Sequence, residues 1–347
     1  MSFKNNKYKI IGLIFAIVLI SLGVFVAMQI GPYNKNNKKD IIVDIPSGST
    51  INSISNILYE NELIKNKTMF KALVKVSNKA SSIKAGKYLL NQSYSNSGII
   101  DLLASGKIYQ DGVKITIPEG STSKEIVSIL VNKKLGEKSR YDELINKPEE
   151  FKAEFEFLND KGINSLEGFL YPDTYYFNEE DSEDEILLAM LKRFSDECVG
   201  KVQEDIEKSD KSLQEIITMA SIVEKEAVLD EDRPLIASVF YNRIKIGMPL
   251  QSDATIQYIF EKRKKIVTYK DLKIDSPYNS YKNKGLPPTP IANPGIKSIE
   301  AVLNPADTDY LYFVAKMDGG NNYSTNYQDH LKYVKEYKDE RDKLNKK

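Results

Sequence analysis

The first strong feature of the chain is an unbroken apolar run, Ile10 to Ile30 (IIGLIFAIVLISLGVFVAMQI), in which only Ser21 and Gln29 are clearly polar. At about 1.5 Å rise per residue such a helix spans the roughly 30 Å hydrocarbon layer of a bilayer. A cleaved signal peptide would have a shorter apolar core and a clearer small-residue cleavage pattern. The run therefore predicts one uncleaved transmembrane anchor over 10–30, with residues 1–9 as a cytoplasmic tail and the polar stretch 31–40 (GPYNKNNKKD) as a linker. Lys4, Lys7 and Lys9 precede the run and Lys35, Lys38 and Lys39 follow it, so the charge bias across the membrane is nearly even. A short tail stays inside easily and a large domain crosses largely regardless of charge, which sets the expectation of a single-pass cell-membrane protein with its bulk extracytoplasmic.

Beyond the linker the pattern repeats. IPSGSTINSISNIL, Ile45 to Leu58, matches IPEGSTSKEIVSIL, Ile117 to Leu130, at an offset of 72 residues. Each segment follows an alternating strand-like run (IIVDI, VKITI) and continues with apolar residues at helical spacing. The glycine of each turn can adopt a positive φ, and the Ser-Thr after it can cap the helix. The run AGKYLL, Ala85 to Leu90, is the expected closing strand of the first unit. This reads as an α+β chain with a small module over 41–108 and a larger domain over 109–347 that begins with a second copy of the strand–turn–helix unit.

A second helical signal opens with Ser212-Leu213-Gln214-Glu215, a capping-box pattern, and runs to about Ala227. Leu213, Ile216, Ile217, Ala220, Val223 and Ala227 share one face; Gln214, Thr218, Ser221 and Lys225 share the opposite one. Two acids break the pattern. Glu224 projects inside the apolar face, and Glu226 projects at the border between faces. A carboxyl beside apolar walls is held protonated toward neutrality, as a general acid requires, and the border position suits a cleft wall. Ordinary surface or ion-paired glutamates fit the same wheel.

Composition narrows the chemistry. Lys plus Arg and Asp plus Glu number 49 each, so no global field recruits nucleic acid. One cysteine, Cys198, and one histidine, His330, leave no internal disulfide and no thiol-ligated metal site. A Ser-His-Asp or Cys-His hydrolase would rest on His330 alone, in a helix-like stretch where it reads as a helix residue. Neither a cofactor nor a metal is expected, and the chemistry falls to carboxylates.

The local sequence then adds a resemblance. ITMASIVEKEA (217–227) with RPLIASVFYNRIKIGMPLQSDATIQY (233–258), EGFLYPDTYYF (167–177), SPYNSYKNKGLPPTPIANPG (276–295) and LNPADTDYLYFVAK (303–316) occur in one order. Together they resemble the endolytic murein transglycosylases, the YceG-like family, over nearly the whole chain; the module at 41–108 also loosely resembles LysM peptidoglycan-binding domains. The resemblance implies a lyase that cuts between N-acetylmuramic acid and N-acetylglucosamine within a strand. The muramic C6 hydroxyl attacks its own anomeric carbon and leaves a 1,6-anhydro end, ending elongation of a nascent strand. It further implies peptidoglycan strands as partner, with penicillin-binding synthases and elongation or division proteins as possible associates, and no nucleic acid.

The family's catalytic glutamate is the second in its VEKE run, which falls on Glu226, with Glu224 as second choice. Tyr171, Asp173, Gln251, Asp253, Thr255, Tyr278 and Asn279 supply hydroxyl, amide and carboxylate groups for sugars. With 21 Tyr and no Trp, stacking on sugar faces would fall to tyrosine. The prolines of GLPPTPIANPG, Gly285 to Gly295, fix an extended loop, read as a rigid cleft wall or as a plain connector. Where the family reads Gly-Gly-His, this chain has Gly319-Gly320-Asn321. Two rival readings stay open: a hydrolytic muramidase pairing Glu226 with Glu167, Asp173 or Asp253, and a non-catalytic wall-binding scaffold for synthases.

Overall fold

A computed structural model describes residues 2–109 and 112–344; the 110–111 junction and the last three residues of the expected 109–347 domain lie outside the described residues. The chain divides into two compact units at 111/112.

In the first unit, helix α1 runs Ser2–Ile30 and contains an 18-residue window, Leu13–Ile30, of mean hydropathy 2.7 with no residue buried. Its length and composition suffice to cross a membrane. The linker after it is docked. Asn91 Nδ2 donates to Asp40 at 2.7 Å, Asn37 Nδ2 donates to Gln92 Oε1 at 3.0 Å, and Asn34 N–H donates to the Gln92 carbonyl. The stretch expected as a linker is held along the module by these bonds, because short amide side chains satisfy the loop they cross.

The module proper is β1 (Ile41–Ile45), α2 (Ile51–Glu60), α3 (Lys67–Val76), β2 (Gly86–Leu90) and α4 (Asn96–Ser105). β1 and β2 pair antiparallel, Ile41 opposite Leu90 and Ile45 opposite Gly86, so the strand expected at 85–90 closes the unit. Alternation along both strands turns Val43, Ile45, Tyr88 and Leu90 inward onto Ile54, Leu58 and Phe70 of the helices.

The second unit begins the same way: β3 (Val113–Thr116), α5 (Ser123–Asn132), α6 (Lys138–Ile145) and β4 (Thr174–Phe177), with β3 antiparallel to β4. The duplication therefore extends through a second helix and a closing strand, beyond the strand–turn–helix visible in sequence. Between α6 and β4 lie 28 residues, 146–173, against nine, 77–85, in the first unit. There follow α7 (Glu183–Phe194), a π-helical turn Ser195–Val199, α8 (Gly200–Lys208), α9 (Leu213–Glu226), α10 (Arg233–Lys245), α11 (Asp253–Ile259), α12 (Ile296–Leu303), the antiparallel pair β5 (Tyr312–Ala315) and β6 (Asn321–Ser324), and α13 (Tyr327–Leu344).

Helix α9 is the centre of this unit. Ser212 caps it and Glu215 reciprocates, as the sequence pattern requires. Its expected polar face is not solvated: Gln214, Thr218 and Ser221 are buried along with Ile216, Ile217, Ala220 and Val223. The proline-rich segment covers that face. Gln214 Nε2 donates to the Pro288 carbonyl at 3.2 Å, and Ser221 Oγ accepts from Ile291 N–H at 3.0 Å. Polar residues on α9 thus serve as partners for an extended loop whose backbone has no sheet to join. On other sides α10 and α12 pack against it.

Candidate active site

Helix α9 ends in three consecutive charged side chains, Glu224, Lys225 and Glu226, before Ala227 turns extended at the C-cap. The 100° step between residues sends the three in different directions, and each meets a different environment.

Glu224 enters a closed network. Its carboxylate accepts from Ser298 Oγ at 2.8 Å and Gly295 N–H at 3.1 Å, and pairs with Arg233 at 3.2 Å. Both ionic side chains are under a tenth exposed. Such a pair is costly to break and unavailable to a ligand.

Glu226 is only partly buried, and its partners come from the segment between α10 and α11. Ser252 Oγ donates to Glu226 Oε1 at 2.5 Å. Burial pushes the carboxyl above the ordinary glutamate range; the Ser252 hydrogen bond opposes this, the Asp253 charge adds to it, and the Ala254 N–H and Arg243 oppose it more weakly. Its seat at the helix C-terminus, where carbonyls carry partial negative charge, also favours the neutral acid.

Ser252 is held from three sides. Its N–H donates to Ser280 Oγ at 3.0 Å, its carbonyl accepts from Thr255 Oγ1 at 2.8 Å, and Thr255 and Ser280 share a 2.7 Å hydroxyl contact. The preceding Gln251 is exposed and takes φ +53°, a sparsely populated conformation for a non-glycine residue. Asp253 is exposed and accepts from Tyr281 OH at 2.7 Å. Behind this turn, buried Arg243 donates to the carbonyls of Leu250 at 2.5 Å and Leu311 at 2.7 Å, fixing the loop to the segment that enters β5.

The structure thus gathers Glu226, Gln251, Asp253 and Thr255. Tyr278 lies on the adjoining loop, its ring 4.9 Å from that of Tyr258 and its hydroxyl 2.8 Å from Thr289. Asn279 is fully buried, and its amide is spent on Leu272 and Ile274 carbonyls and on Tyr281 N–H. Tyr171 and Asp173 belong to a separate network: Tyr171 is buried with its carbonyl accepting from Tyr175 OH, and Asp173 pairs with Arg193 at 2.5 Å. Ser252, Ser280, Tyr281 and Arg243 escaped the sequence reading. Ser252 and Ser280 each adjoin a chosen residue, and a charged Arg243 within an apolar helix was the available signal.

Glu167 is 3% exposed and lies away from solvent chemistry. It accepts from Ser123 N–H at 2.9 Å, Asn293 Nδ2 at 3.0 Å and Tyr258 OH at 3.1 Å. Burial raises it to about 7 despite these bonds. The next residue, Gly168 at φ +94°, leaves no room for a Cβ, which would meet Pro290 at 2.5 Å and Ile217 at 2.9 Å. Asn293 completes the knot by accepting from Gly168 and Leu170 N–H and donating to the Ser121 carbonyl.

His330 sits on α13 against Tyr312, ring centroids 5.1 Å apart, and burial lowers its basicity. Asn321 Nδ2 donates to Asp232 at 3.1 Å. Among the described residues no three His, Cys, Asp or Glu side chains are grouped to hold a metal ion.

The YceG-like family model matches residues 43–336. An endolytic murein transglycosylase of Bacillus subtilis is 39% identical over 316 residues, 88% of this chain and 87% of its own length. One from Streptococcus pneumoniae is 32% identical over 95% of this chain, which spans 65% of that relative. A crystal structure of a YceG-like protein from Listeria monocytogenes aligns with a TM-score of 0.59 at 38% identity, over 85% of this chain and 99% of that one.

Proposed function

The chain belongs to the YceG-like family, and on that premise we propose that it is an endolytic murein transglycosylase with Glu226 as its acid and base. The observation that carries the assignment is the Glu226 carboxyl: desolvated, raised above its ordinary range, and anchored through one oxygen by Ser252 at 2.5 Å. Held on one side, the group is oriented toward the glycosidic oxygen it must protonate.

In the first step the Glu226 proton passes to the leaving N-acetylglucosamine O4 as the C1–O4 bond breaks and oxocarbenium character develops. In the second, the muramic C6 hydroxyl bonds to C1 and its proton returns to Glu226, closing the 1,6-anhydro ring with no water consumed. One carboxyl serves both steps because they are sequential. A hydrolase needs a second free carboxylate. Glu167 is buried and saturated and Asp173 is paired with Arg193, while Asp253 stands beside Glu226 and favours its neutral form. Asp253 is thus the one of the three acids that a muramidase could still use, and what supports the lytic reading over it is the naming of the relatives as transglycosylases.

Gln251, Asp253 and Tyr278 are the groups we place against sugar. Thr255 and Asn279, spent on internal bonds, support the wall instead, and Tyr171 and Asp173 belong to the separate network around Tyr175 and Arg193. Helix α1 anchors the protein with both units extracytoplasmic, and the 41–108 module, LysM-like in its β–α–α–β order, engages glycan. Synthases of the elongation or division machinery are the associates this placement favours. Mass analysis of purified strands after digestion tests the reading: 1,6-anhydromuramic ends arising inside strands are expected, whereas reducing ends indicate hydrolysis and uncut strands indicate a scaffold.

A further inference from the structure

Helix α1 ends at Ile30, where Gly31 N–H closes the last turn on the Ala27 carbonyl at 3.0 Å. Beside this end lies a groove of about 640 Å³. Val24, Ala27 and Met28 of the helix form its apolar wall, and Tyr33, Lys35 and Lys65 line the rest. Lys65, from the connection between α2 and α3, donates from Nζ to the Met28 carbonyl at 3.2 Å. That contact answers one orphan carbonyl of the helix end and leaves two of the three ammonium protons free. The Lys35 ammonium has no partner among the described residues, and neither lysine meets a carboxylate. Nor does Lys35 hang on a free chain. Asn34 N–H and Asn37 Nδ2 both donate to Gln92, at 3.0 Å each, so the backbone on either side of Lys35 is fixed to the module. The groove stands where the apolar window Leu13–Ile30 gives way to polar chain, which in a spanning helix is the level of the lipid headgroups.

We propose that this groove binds one anionic phospholipid, with its phosphate at Lys35 and Lys65, its headgroup beside Tyr33, and an acyl chain along Val24, Ala27 and Met28. The inference rests on reading α1 as the membrane anchor and gives that anchor a lipid partner. A soluble phosphate would satisfy the two cations but not the apolar wall. Val24, Ala27 and Met28 stand at i, i+3 and i+4, so they share one helix face, and all three are exposed. A diacyl lipid covers both parts of the groove, and tyrosine suits the boundary between them because it pairs an apolar ring with a polar tip. The carbonyls at a helix C-terminus work against an anion. Lys65 offsets this by placing its charge on the Met28 carbonyl. The helix, the fixed segment and the Lys65 connection belong to one compact unit. A lipid seated against all three therefore holds the 41–108 module to the bilayer surface as well as to its anchor.

The test uses the full chain in phosphatidylcholine nanodiscs that carry a trace of spin-labelled phosphatidylglycerol or of spin-labelled phosphatidylcholine. The immobilised fraction of the label reports lipid held by the protein. Phosphatidylglycerol is expected to be preferred, and Lys35→Gln and Lys65→Gln should each lower that preference about fivefold, the usual worth of one lysine at an anionic surface. The double variant should erase it, and Lys35→Arg should keep it. Lys38→Gln removes a cation of the same segment that does not line the groove, and it should change nothing. Equal retention of the two lipids by the wild type overturns the proposal. So does a loss in Lys38→Gln as large as that in Lys35→Gln, which would mark a diffuse surface field. Glycerol 1-phosphate in solution should fail to displace the labelled lipid; displacement at millimolar concentration would make this a phosphate site and end the lipid reading. A chain that stays out of the nanodisc refutes the anchor and the lipid site together, whereas insertion without lipid preference refutes the lipid site alone.

Discussion

The two β–α–α–β units share one architecture and differ in what is tied to it. Thr50 and Thr122 cap equivalent helices, Gly48 and Gly120 take φ +76° and +72°, and Glu62 and Lys134, again 72 residues apart, both have positive φ. Leu58 and Leu130, and Leu63 and Leu135, are fully buried counterparts. What differs is what meets each turn. In the first unit the N–H of Ile51 donates to no side chain among the described residues. In the second, the matching Ser123 N–H is taken by Glu167, and the Gly120 carbonyl by Lys225. Both partners come from outside the duplicated elements, one from the 28-residue connection and one from α9. The two copies share core and caps because those are local; what sets the second apart is that its turn is tied to α9 and to the longer connection.

The sharpest way to break the contrast is at the acid itself. Glu226→Gln keeps the shape and accepts from Ser252, but carries no transferable proton, so turnover should fall by roughly 10² to 10⁴ with folding intact. Glu224→Gln should retain most turnover and lose stability, because it removes the buried one of Arg233's two carboxylate partners and leaves only the exposed Asp230; a loss of up to about 3 kcal/mol is expected in denaturant unfolding. Equal loss of turnover from both would remove the distinction between α9's two acids. Since the neutral acid is the starting form, kcat/KM should fall as pH rises through the raised Glu226 value. A rate that climbs through that limb would contradict the role.

The contrast also explains what could be read in advance. Caps, strand alternation and the capping box of α9 are written in neighbouring residues, and each formed where its pattern stands. The two glutamates separated correctly in direction because helical phase is local. The closing strand β4 was not visible, since 28 residues part it from α6, and the polar face of α9 looked solvated because its cover lies some 70 residues downstream. Asn279 and Asp173 carry sugar-binding chemistry, but it is used internally: Asn279 closes its own loop on Leu272, Ile274 and Tyr281, and Asp173 pairs with Arg193 twenty residues on.

Glu167 gives an intermediate effect. Its value rises from 4.5 to about 7 on folding, so between those pH values the folded state binds more protons than the unfolded state. Stability must then fall as pH rises across that window, by up to about 3 kcal/mol, and level off above it. Glu167→Gln should abolish this slope. It should also cost about 1–3 kcal/mol near pH 4.5, because its amide turns a donor toward groups that already donate. No comparable slope is expected from the module at 41–108 studied by exchange of its core amides, as no carboxylate there occupies the matching place. A pH profile unchanged in Glu167→Gln would show that the carboxyl does not titrate in that window.

The smallest effect isolates the tie between repeat and helix. Gly48→Ala and Gly120→Ala impose the same left-handed strain, about 1–2 kcal/mol each. Around Gly48 an added methyl meets nothing within 4 Å, whereas at Gly120 it would lie 3.4 Å from both Glu224 Cγ and Lys225 Cδ. Those are ordinary contact distances, so the second substitution should cost little more in stability than the first. Its distinct consequence should be kinetic. Strain that shifts the Gly120 carbonyl loosens the Lys225 bond at the end of α9, one residue from Glu226, and a two- to fivefold loss of turnover corresponds to only about 0.4–1 kcal/mol. Gly48→Ala, lacking any such connection, should leave kcat per folded molecule unchanged. Matched losses of stability with unequal losses of kcat would locate the difference between the units in that single tie; equal kcat in both variants would mean that the turn merely abuts the helix and does not position it.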